Sequence, residues 1–334
     1  MKRHFLEALL FSALLTLLPL IPVLLLRPQE DEPEREFSTS EPTIVENKDA
    51  GADCYYVLRE KTGEVQAIPV EDYILGAVAA EMPVSFEDEA LKAQAVAAHT
   101  YAERQCLASK GREELHGADF SDDPAKYQAF LTEDELRERW GTHYDVNYRR
   151  LSTIAGDVVE NVLVYEDEPI IAAFHAMSTG RTDAAKTVWG SDVPYLQEVE
   201  CPADKTAPSY EETAAFSPDD TGDRLTGAHP ALHLDIEPEA WFGEPVTSEA
   251  GTVLSIPVAD GLFTGAEIRA LFGLRSAAFT VAYERGQFVF TTHGFGHNVG
   301  MSQYGANVMA QEGSDYREIL AHYYPGAEIR SVME

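Results

Sequence analysis

The chain has 334 residues, 45% of them hydrophobic, which is enough to bury a large core in one big domain or two smaller ones. Lys and Arg total 25 against 57 Asp and Glu, so the net charge is −32 at pH 7. This balance argues against non-specific binding to nucleic acid or to an anionic membrane surface, because both need clustered basic residues.

The N-terminus predicts a membrane anchor. Lys2 and Arg3 precede an apolar run from Ala8 to Leu26, whose length at ~1.5 Å per residue approaches the ~30 Å hydrocarbon thickness. No Ala-x-Ala cleavage pattern follows, which favours an uncleaved anchor over a signal peptide. The basic residues hold the N-terminal end in the cytoplasm. We therefore expect a cytoplasmic stub at 1–7 and a single transmembrane span at 8–26.

The remaining chain divides by composition. Residues 27–52 are acidic, contain Pro and Ser and have few large apolar side chains, which predicts a disordered tether. The folded part, 53–334, mixes helical and strand-like patterns in an irregular order, so we expect an α+β fold of helices and antiparallel strands. Within it, 202–260 is rich in Pro, Asp and Thr, which indicates a more variable lobe beside one core.

The periodic segments are the basis of this fold class. Helical patterns cover about 71–81, 87–106, 132–140, 266–272, 302–312 and 315–323. Strand-like runs lie at Val158–Val164, Ile170–Ala176, Ala278–Tyr283 and Phe288–Thr292, and a hairpin is predicted from Tyr55 to Ile68.

Glu81 ends the first helical pattern, in Gly76-Ala-Val-Ala-Ala-Glu-Met-Pro83. It is either a solvated helix end or an acid kept partly dry for proton transfer. The negative end of the helix dipole and the apolar neighbours would both raise the pKa of this carboxyl. An acid with a raised pKa can donate a proton near neutral pH. A glycoside hydrolase would need a second carboxylate, and the motifs supply no obvious one.

The next helical pattern carries Lys92, His99 and Tyr101, which do not share one face. A solvated position and a ligand contact both remain open for Lys92. Further on, an apolar strand delivers His175, Ser178 and Thr179 at its end, where functional sites often gather. A His near a Ser also fits a serine hydrolase, but the chain has no Gly-x-Ser-x-Gly elbow.

Two aromatic residues follow in Trp189-Gly-Ser-Asp-Val-Pro-Tyr-Leu196. Trp189 and Tyr195 either stack on sugar rings or pack in the core. In His293-Gly-Phe-Gly-His-Asn-Val-Gly-Met-Ser-Gln-Tyr-Gly-Ala306, the glycines predict a loop that admits close backbone approach, so the spacing of His293 and His297 does not indicate helical metal ligands. Ser302 is a predicted N-cap for a helix that begins at Gln303 and Tyr304.

Three cysteines, Cys54, Cys106 and Cys201, are too scattered for a disulfide framework or a CxxC metal motif. One disulfide on the oxidising side of a membrane and three free thiols both remain open.

Taken together, the Glu-Met-Pro, Trp189–Leu196 and His293–Ala306 segments resemble the stage II sporulation protein D family, over about 55–334. These are membrane-anchored lytic transglycosylases that cut peptidoglycan during engulfment of the forespore. The resemblance implies one catalytic core in which Glu81 is the acid and base. It also implies glycan contacts from Lys92, His99, Tyr101, His175, Ser178, Thr179, Trp189, Tyr195, His297, Ser302, Gln303 and Tyr304.

The chain departs from the family pattern at two places. The family usually has Arg where this chain has His99, which cannot copy the five-donor guanidinium. Some members bind zinc through a His and two cysteines, but here His116 is accompanied by Ser121 and Tyr127, which are poor zinc ligands when neutral. We therefore expect no metal and no cofactor.

The resemblance further implies a location and partners. The protein would lie in the cell membrane with its catalytic domain outside, on the mother-cell side of the engulfing septum. Its partners would be peptidoglycan glycan strands, a sporulation amidase and a membrane scaffold protein of the engulfment machinery, with no nucleic acid. The alternative function is a catalytically weak, peptidoglycan-binding amidase enhancer of the same fold.

Overall fold

The computed structural model describes residues 44–45, 54–110, 112–123 and 126–332. The predicted stub (1–7) and anchor (8–26) lie outside these residues. Of the predicted tether (27–52), the structure describes Ile44–Val45, a strand that pairs in parallel with Glu64–Pro69. No helix in the described part of the chain is both long and apolar enough to cross a membrane.

The predicted α+β class is confirmed. The strands are β1 (Ile44–Val45), β2 (Cys54–Arg59), β3 (Glu64–Pro69), β4 (Phe120–Ser121), β5 (Asn161–Tyr165), β6 (Glu168–Pro169), β7 (Phe174–His175), β8 (Glu211–Phe216), β9 (Val246–Thr247), β10 (Val253–Val258), β11 (Gly261–Phe263), β12 (Phe279–Glu284), β13 (Gln287–His293), β14 (Met301–Ser302) and β15 (Glu328–Ser331). The helices are α1 (Val70–Glu81), α2 (Asp88–Ser109), α3 (Glu133–Trp140), α4 (Tyr144–Val158), α5 (Ala185–Trp189), α6 (Pro218–Ala228), α7 (Gly265–Phe272), α8 (Gln303–Gln311) and α9 (Tyr316–Tyr323).

The chain forms two compact units. The first unit holds the described residues up to Ala172 together with the chain from Glu328 onward, and the second holds Ala173–Ala327. The first contains a four-stranded sheet of order β1-β3-β2-β4 and a three-stranded sheet of order β15-β5-β6. The second contains the sheets β11-β10-β9, β12-β13-β8 and β14-β7.

In the first unit, the antiparallel hairpin of β2 and β3 is the predicted one, with Leu58 opposite Val65. Helix α1 is buried from Tyr73 to Glu81, because its apolar residues surround the helix instead of forming one stripe. Alanines such as Ala77 and Ala98 are completely buried and allow close packing of α1 and α2 in this core. Around Tyr73, aromatic rings fill the space between helix and sheet: Tyr55, Phe120 and Phe130.

The second unit is built on antiparallel pairing of β13 with both β12 and β8. Side chains from the predicted variable lobe (202–260) enter its hydrophobic core, among them Leu225, Trp241 and Val253. They pack with Phe290 of β13, which is fully buried. The segment 202–260 therefore supplies part of the core of this unit.

Some elements differ from the sequence-based prediction. Helix α4 was not predicted, although it packs against α1 and α2. The run Ile170–Ala176 is strand only at Phe174–His175, which pairs in parallel with Met301–Ser302. A short buried apolar run does not by itself distinguish a strand from irregular backbone, and here the partner segment lies far along the chain. All three cysteines are free thiols.

Candidate functional site

Glu81 is the last residue of α1. Its side chain is only 2% exposed, so it is not a solvated helix end. Beyond it the chain turns to extended backbone at Met82, whose N–H still donates to the Val78 carbonyl at 2.9 Å. Pro83 has no N–H group and cannot continue the ladder, which explains why the helix stops with Glu81 in this position.

A loop comprising residues 128–131 packs directly on α1. The Leu131 N–H donates to the Gly76 carbonyl at 3.2 Å. A β-carbon on residue 76 would overlap the Leu131 carbonyl oxygen and the Phe130 ring, so only glycine allows this approach. Two residues earlier in the loop, the N–H of Ala129 donates a hydrogen bond to the Glu81 carboxyl.

Burial controls the electrostatics of this carboxyl. It raises the pKa of Glu81 from 4.5 to about 7, while the Ala129 hydrogen bond and the charge of Arg139 on α3 oppose the rise without cancelling it. The predicted upward shift is confirmed. A difference of this size makes the ionised form less favourable in the folded protein by about 3 kcal/mol. Both protonation states are therefore present near neutral pH.

One oxygen of the carboxyl is unused. Glu81 Oε1 has no hydrogen-bond partner among the described residues. Tyr101 is a neighbour: burial raises its pKa most, Tyr127 adds to this, and the charge of Glu81 raises it further. Among the described groups that shift the pKa of Glu81 there is no second carboxylate.

The residues that complete this site were not predicted from the sequence. Ala129 and Arg139 contact or act on Glu81, and the N–H of Gln128 donates to the Tyr101 hydroxyl. One signal was present in the sequence, since a lone Gly76 within an alanine-rich helix indicates close approach of another segment. The glycine does not indicate which segment of the chain approaches the helix.

Lys92 lies on a groove of about 340 Å³ between α2 and α4. Its Nζ is 3.1 Å from both Glu89 and Asp157. Partial burial alone would lower the pKa of Lys92, but the hydrogen bonds to these two carboxylates outweigh it and raise the pKa. The ammonium is thus already paired within the first unit.

His99 is buried and faces two groups of its own unit. Its Nδ1 lies 3.2 Å from the Asn161 carbonyl of β5, and its Nε2 lies 3.8 Å from Glu103. Glu103 also accepts a 2.6 Å hydrogen bond from the Tyr55 hydroxyl. His99 therefore connects α2 to β5 and to this carboxylate, whereas Tyr101 on the same helix reaches the surroundings of Glu81.

The second unit brings together a different set of predicted residues. The rings of His175 and Trp189 lie 5.5 and 5.4 Å from the ring of His297. Burial lowers the pKa of His175 to about 4, and burial together with His175 and Arg269 lowers the pKa of His297. Both imidazoles are therefore neutral at pH 7. His175 Nδ1 lies 3.1 Å from the Val299 carbonyl, and because a carbonyl only accepts, Nδ1 carries the proton and donates it to this bond.

The predicted glycine loop is confirmed, with positive φ at Gly294, Gly296 and Gly300. Asn298 organises it in a left-handed conformation (φ 64°). Its side chain accepts from the Thr179 N–H at 3.2 Å and donates to the Arg181 carbonyl at 3.1 Å and to Asp183 at 2.8 Å. One side chain thus joins the loop to the segment after β7.

A buried carboxyl joins two further predicted residues. Asp204 Oδ2 accepts a hydrogen bond from the Ser178 N–H at 2.7 Å, and burial raises the pKa of this carboxyl while the Ser178 and Ser302 side chains oppose the rise. Ser302 is the predicted N-cap of α8, and its hydroxyl accepts from the Gly305 N–H. Both serine hydroxyls are fully buried and already engaged, so they hold the backbone of this region in place.

The other predicted contacts have mixed surroundings. Tyr195 and Gln303 are buried, whereas Tyr304 is half-buried, and its N–H donates to the Ala176 carbonyl at 3.0 Å. Thr179 Oγ1 donates to Arg181 within the same turn. All of these residues belong to the second unit, so the predicted site residues fall into two sets.

The zinc ligands of some family members are not reproduced. His116 is exposed, while the Ser121 hydroxyl accepts from the Asp123 N–H at 3.3 Å and Tyr127 packs against Phe120. Among the described residues, no three His, Cys, Asp or Glu side chains are grouped to hold a metal ion. The residues present do not fit a zinc site.

The fold and site define an α+β protein in which Glu81 is, among the described residues, the one buried carboxyl group of the first unit. Residues 58–165 match the family model described as stage II sporulation protein. Stage II sporulation protein D of Bacillus amyloliquefaciens is 34% identical over 96% of this chain and 94% of its own length. The chain belongs to the stage II sporulation protein D family.

Two further relatives show how far the similarity extends. Stage II sporulation protein D of Bacillus subtilis is 34% identical over 96% of this chain and 95% of its own length. The amidase enhancer of the same organism is 27% identical over 77% of this chain, but the match covers 40% of that protein.

Proposed function

We propose that this sporulation protein is a lytic transglycosylase that cleaves denuded peptidoglycan glycan strands and leaves 1,6-anhydro-muramic ends. The observation that carries the proposal is the Glu81 carboxyl, which is buried and has a free Oε1 among the described residues. A pKa of about 7 supports the same role, because a residue that acts first as an acid and then as a base must be accessible in both forms.

The reaction has two proton transfers at one residue. Protonated Glu81 donates its proton to the glycosidic oxygen as the bond from that oxygen to C1 of the muramic acid breaks. The resulting carboxylate then takes the proton from the C6 hydroxyl, whose oxygen forms the new bond to C1. The leaving sugar keeps the first proton and Glu81 regains one, so no water is consumed.

The surroundings of Glu81 favour this chemistry over hydrolysis. Inverting and retaining glycosidases need two carboxyl groups at a defined separation. Among the described residues, the charged group that acts on the pKa of Glu81 is Arg139, which is a cation. Ring closure by the substrate's own hydroxyl needs one acid–base group, which this site supplies.

The second unit supplies uncharged groups for glycan binding. Trp189 is half-buried beside His297, and aromatic faces suit the apolar side of a pyranose. His175 Nε2 has no partner among the described residues, so this neutral imidazole can accept a hydrogen bond from a sugar hydroxyl without a charge. Such contacts suit a chain of net charge −32, for which strands stripped of their acidic stem peptides are the more favourable partner.

The proposal includes a location and partners. The span at 8–26 would anchor the protein in the cell membrane with residues 53–334 outside, on the mother-cell side of the engulfing septum. An amidase would supply the denuded strands and a membrane scaffold protein would hold the machinery together. N-terminal sequencing of the protein from sporulating cells should find residue 1, and a new terminus at about residue 30 would contradict the anchor.

The second candidate function is a peptidoglycan-binding amidase enhancer of low catalytic activity. It is supported by the similarity to the Bacillus subtilis protein of that name. An enhancer would increase the rate of a sporulation amidase on intact peptidoglycan while releasing no anhydro ends itself. The two functions therefore predict different products from the same digest.

Mass spectrometry of amidase-treated peptidoglycan digested with the full chain tests the proposal. We expect anhydro-muramic ends from the wild type. Glu81→Gln should lower their rate of release about 10²–10⁴-fold, because it removes general acid–base catalysis. Binding to denuded strands should persist in this variant.

Glu71→Gln, at the opposite end of the same helix, is the matched control and should cleave at the wild-type rate. Wild-type cleavage by Glu81→Gln would contradict the proposed role of Glu81. Amidase stimulation without anhydro products would instead establish the second candidate function.

A further inference from the structure

Gln128 carries two polar atoms that the fold leaves unused. Its side chain is 3% exposed, and neither Nε2 nor Oε1 has a hydrogen-bond partner among the described residues. An amide buried without partners lowers the stability of the folded protein, and native structures rarely keep one without a compensating role.

The backbone places Gln128 at the Glu81 site. Its N–H donates to the hydroxyl of Tyr101, and the N–H of the next residue, Ala129, donates to the Glu81 carboxyl. The loop is then fixed to α1 through the hydrogen bond from Leu131 to Gly76. The backbone of Gln128 is therefore held next to the residue that contacts the acid, and the two polar atoms of its side chain have no partner among the described residues.

The chemistry of a carboxamide limits what that ligand is. It offers a donor and an acceptor together, so it suits a partner that presents an acceptor beside a donor. It does not titrate, so it adds no charge to oppose or favour ionisation of Glu81. An N-acetylated sugar has this pattern, with an acetamido carbonyl next to ring hydroxyls.

We propose that Gln128 is a substrate-binding residue that recognises the acetamido group of the sugar cleaved at Glu81. In this arrangement Nε2 donates to the acetamido carbonyl oxygen, and Oε1 accepts from a hydroxyl of the same sugar. The contact orients the glycosidic oxygen toward the acid, and binding energy from a group beside the reacting bond is used for positioning. The inference rests on the proposed glycan-cleaving function.

The variant Gln128→Met tests it, because methionine has similar length and no polar amide. The full chain is assayed on denuded strands that are N-acetylated and on matched strands whose acetyl groups have been removed chemically. Gln105→Met, at a half-buried position of α2, is the matched control. Thermal unfolding and the pH dependence of cleavage are measured for each protein.

We expect Gln128→Met to lower kcat/KM on acetylated strands about tenfold and to reduce the preference for acetylated over deacetylated strands by the same factor. The melting temperature should be unchanged or higher, and the alkaline limb of the pH profile should stay in place. Gln105→Met should match the wild type in all of these measurements.

An unchanged preference in Gln128→Met would overturn the inference, and so would a lower melting temperature with no change in preference, which marks a structural residue. If the wild type releases no anhydro ends from either substrate, the proposed function fails. Sedimentation of the two kinds of strand with the full chain then decides the inference alone, since the variant should lose only the acetyl-dependent part of binding.

Discussion

Gly76 of α1 and Leu131 of the loop after β4 are in direct backbone contact, through a hydrogen bond of 3.2 Å from the Leu131 N–H to the Gly76 carbonyl. The contact matters for the site because the same loop carries Ala129, whose N–H donates to the Glu81 carboxyl. Because Gly76 has no side chain, the loop approaches α1 closely enough for Ala129 to reach Glu81, five residues further along the helix.

Gly76→Ala should destabilise the protein by about 1–3 kcal/mol, because the new methyl group overlaps the Leu131 carbonyl. The loss of the Ala129 hydrogen bond should also raise the pKa of Glu81 further. Urea unfolding measures the first effect. Gly156→Ala in α4 is the matched control: its β-carbon would meet Glu71 at an ordinary 3.6 Å, so it should stabilise by up to about 1 kcal/mol. If Gly76→Ala raises the free energy of unfolding as much as Gly156→Ala does, the β-carbon at position 76 does not overlap the loop.

Folding stability should fall as the pH rises from about 4.5 to 7, because Glu81 keeps its proton in the folded state and loses it in the unfolded state. Glu81→Gln removes this dependence. The free energy of unfolding of the variant minus that of the wild type should be about 3 kcal/mol larger at pH 8 than at pH 4. Urea unfolding at the two pH values provides the measurement, and a difference independent of pH would show that Glu81 titrates normally.

Arg139→Met should move the alkaline limb of the cleavage profile to higher pH. The positive charge of Arg139 lowers the pKa of Glu81, so its removal lets the carboxyl hold its proton further into the alkaline range. The profile of kcat/KM against pH is the measurement. Arg137→Met on the same helix, whose partner is Glu133 at 2.5 Å, should leave the limb in place. An unmoved limb in Arg139→Met would show that this charge does not reach the acid.

Asn298→Ala should destabilise the protein by about 3 kcal/mol, because three hydrogen bonds are lost and alanine is strained at φ 64°. Asn298→Gly loses the same bonds without the strain, so it should be more stable than the alanine variant by about 1 kcal/mol. Urea unfolding compares them. If both variants are as stable as the wild type, Asn298 does not hold the loop together.

The sequence indicated Glu81, its helix end and its raised pKa, because an apolar helix stopped by a proline is a local pattern. It also indicated the Ser302 N-cap and the glycine loop, which depend on residues close together in the chain. It did not indicate Ala129, Gln128 and Arg139, since these reach Glu81 through a loop and a further helix, and no local pattern encodes that contact.

The same limit applies to His99 and Lys92. Both were predicted as glycan contacts from the resemblance, and the structure places each beside partners of its own unit: Asn161 and Glu103 for His99, Glu89 and Asp157 for Lys92. The Asn161 and Asp157 partners lie about 60 residues away in the chain. Periodicity identifies a polar position on a helix but does not identify such a partner.

The pairing of β15 with β5 has a consequence for synthesis on the ribosome. Ile329 lies opposite Leu163, so the sheet of the first unit includes a strand that is translated after all of Ala173–Ala327. Domains generally fold from the N-terminus as the chain emerges, but this sheet cannot acquire β15 until all of Ala173–Ala327 has been translated. The first unit is thus begun before the second and completed after it, and a nascent chain released before Glu328 has an open edge at β5 in the unit that also contains Glu81.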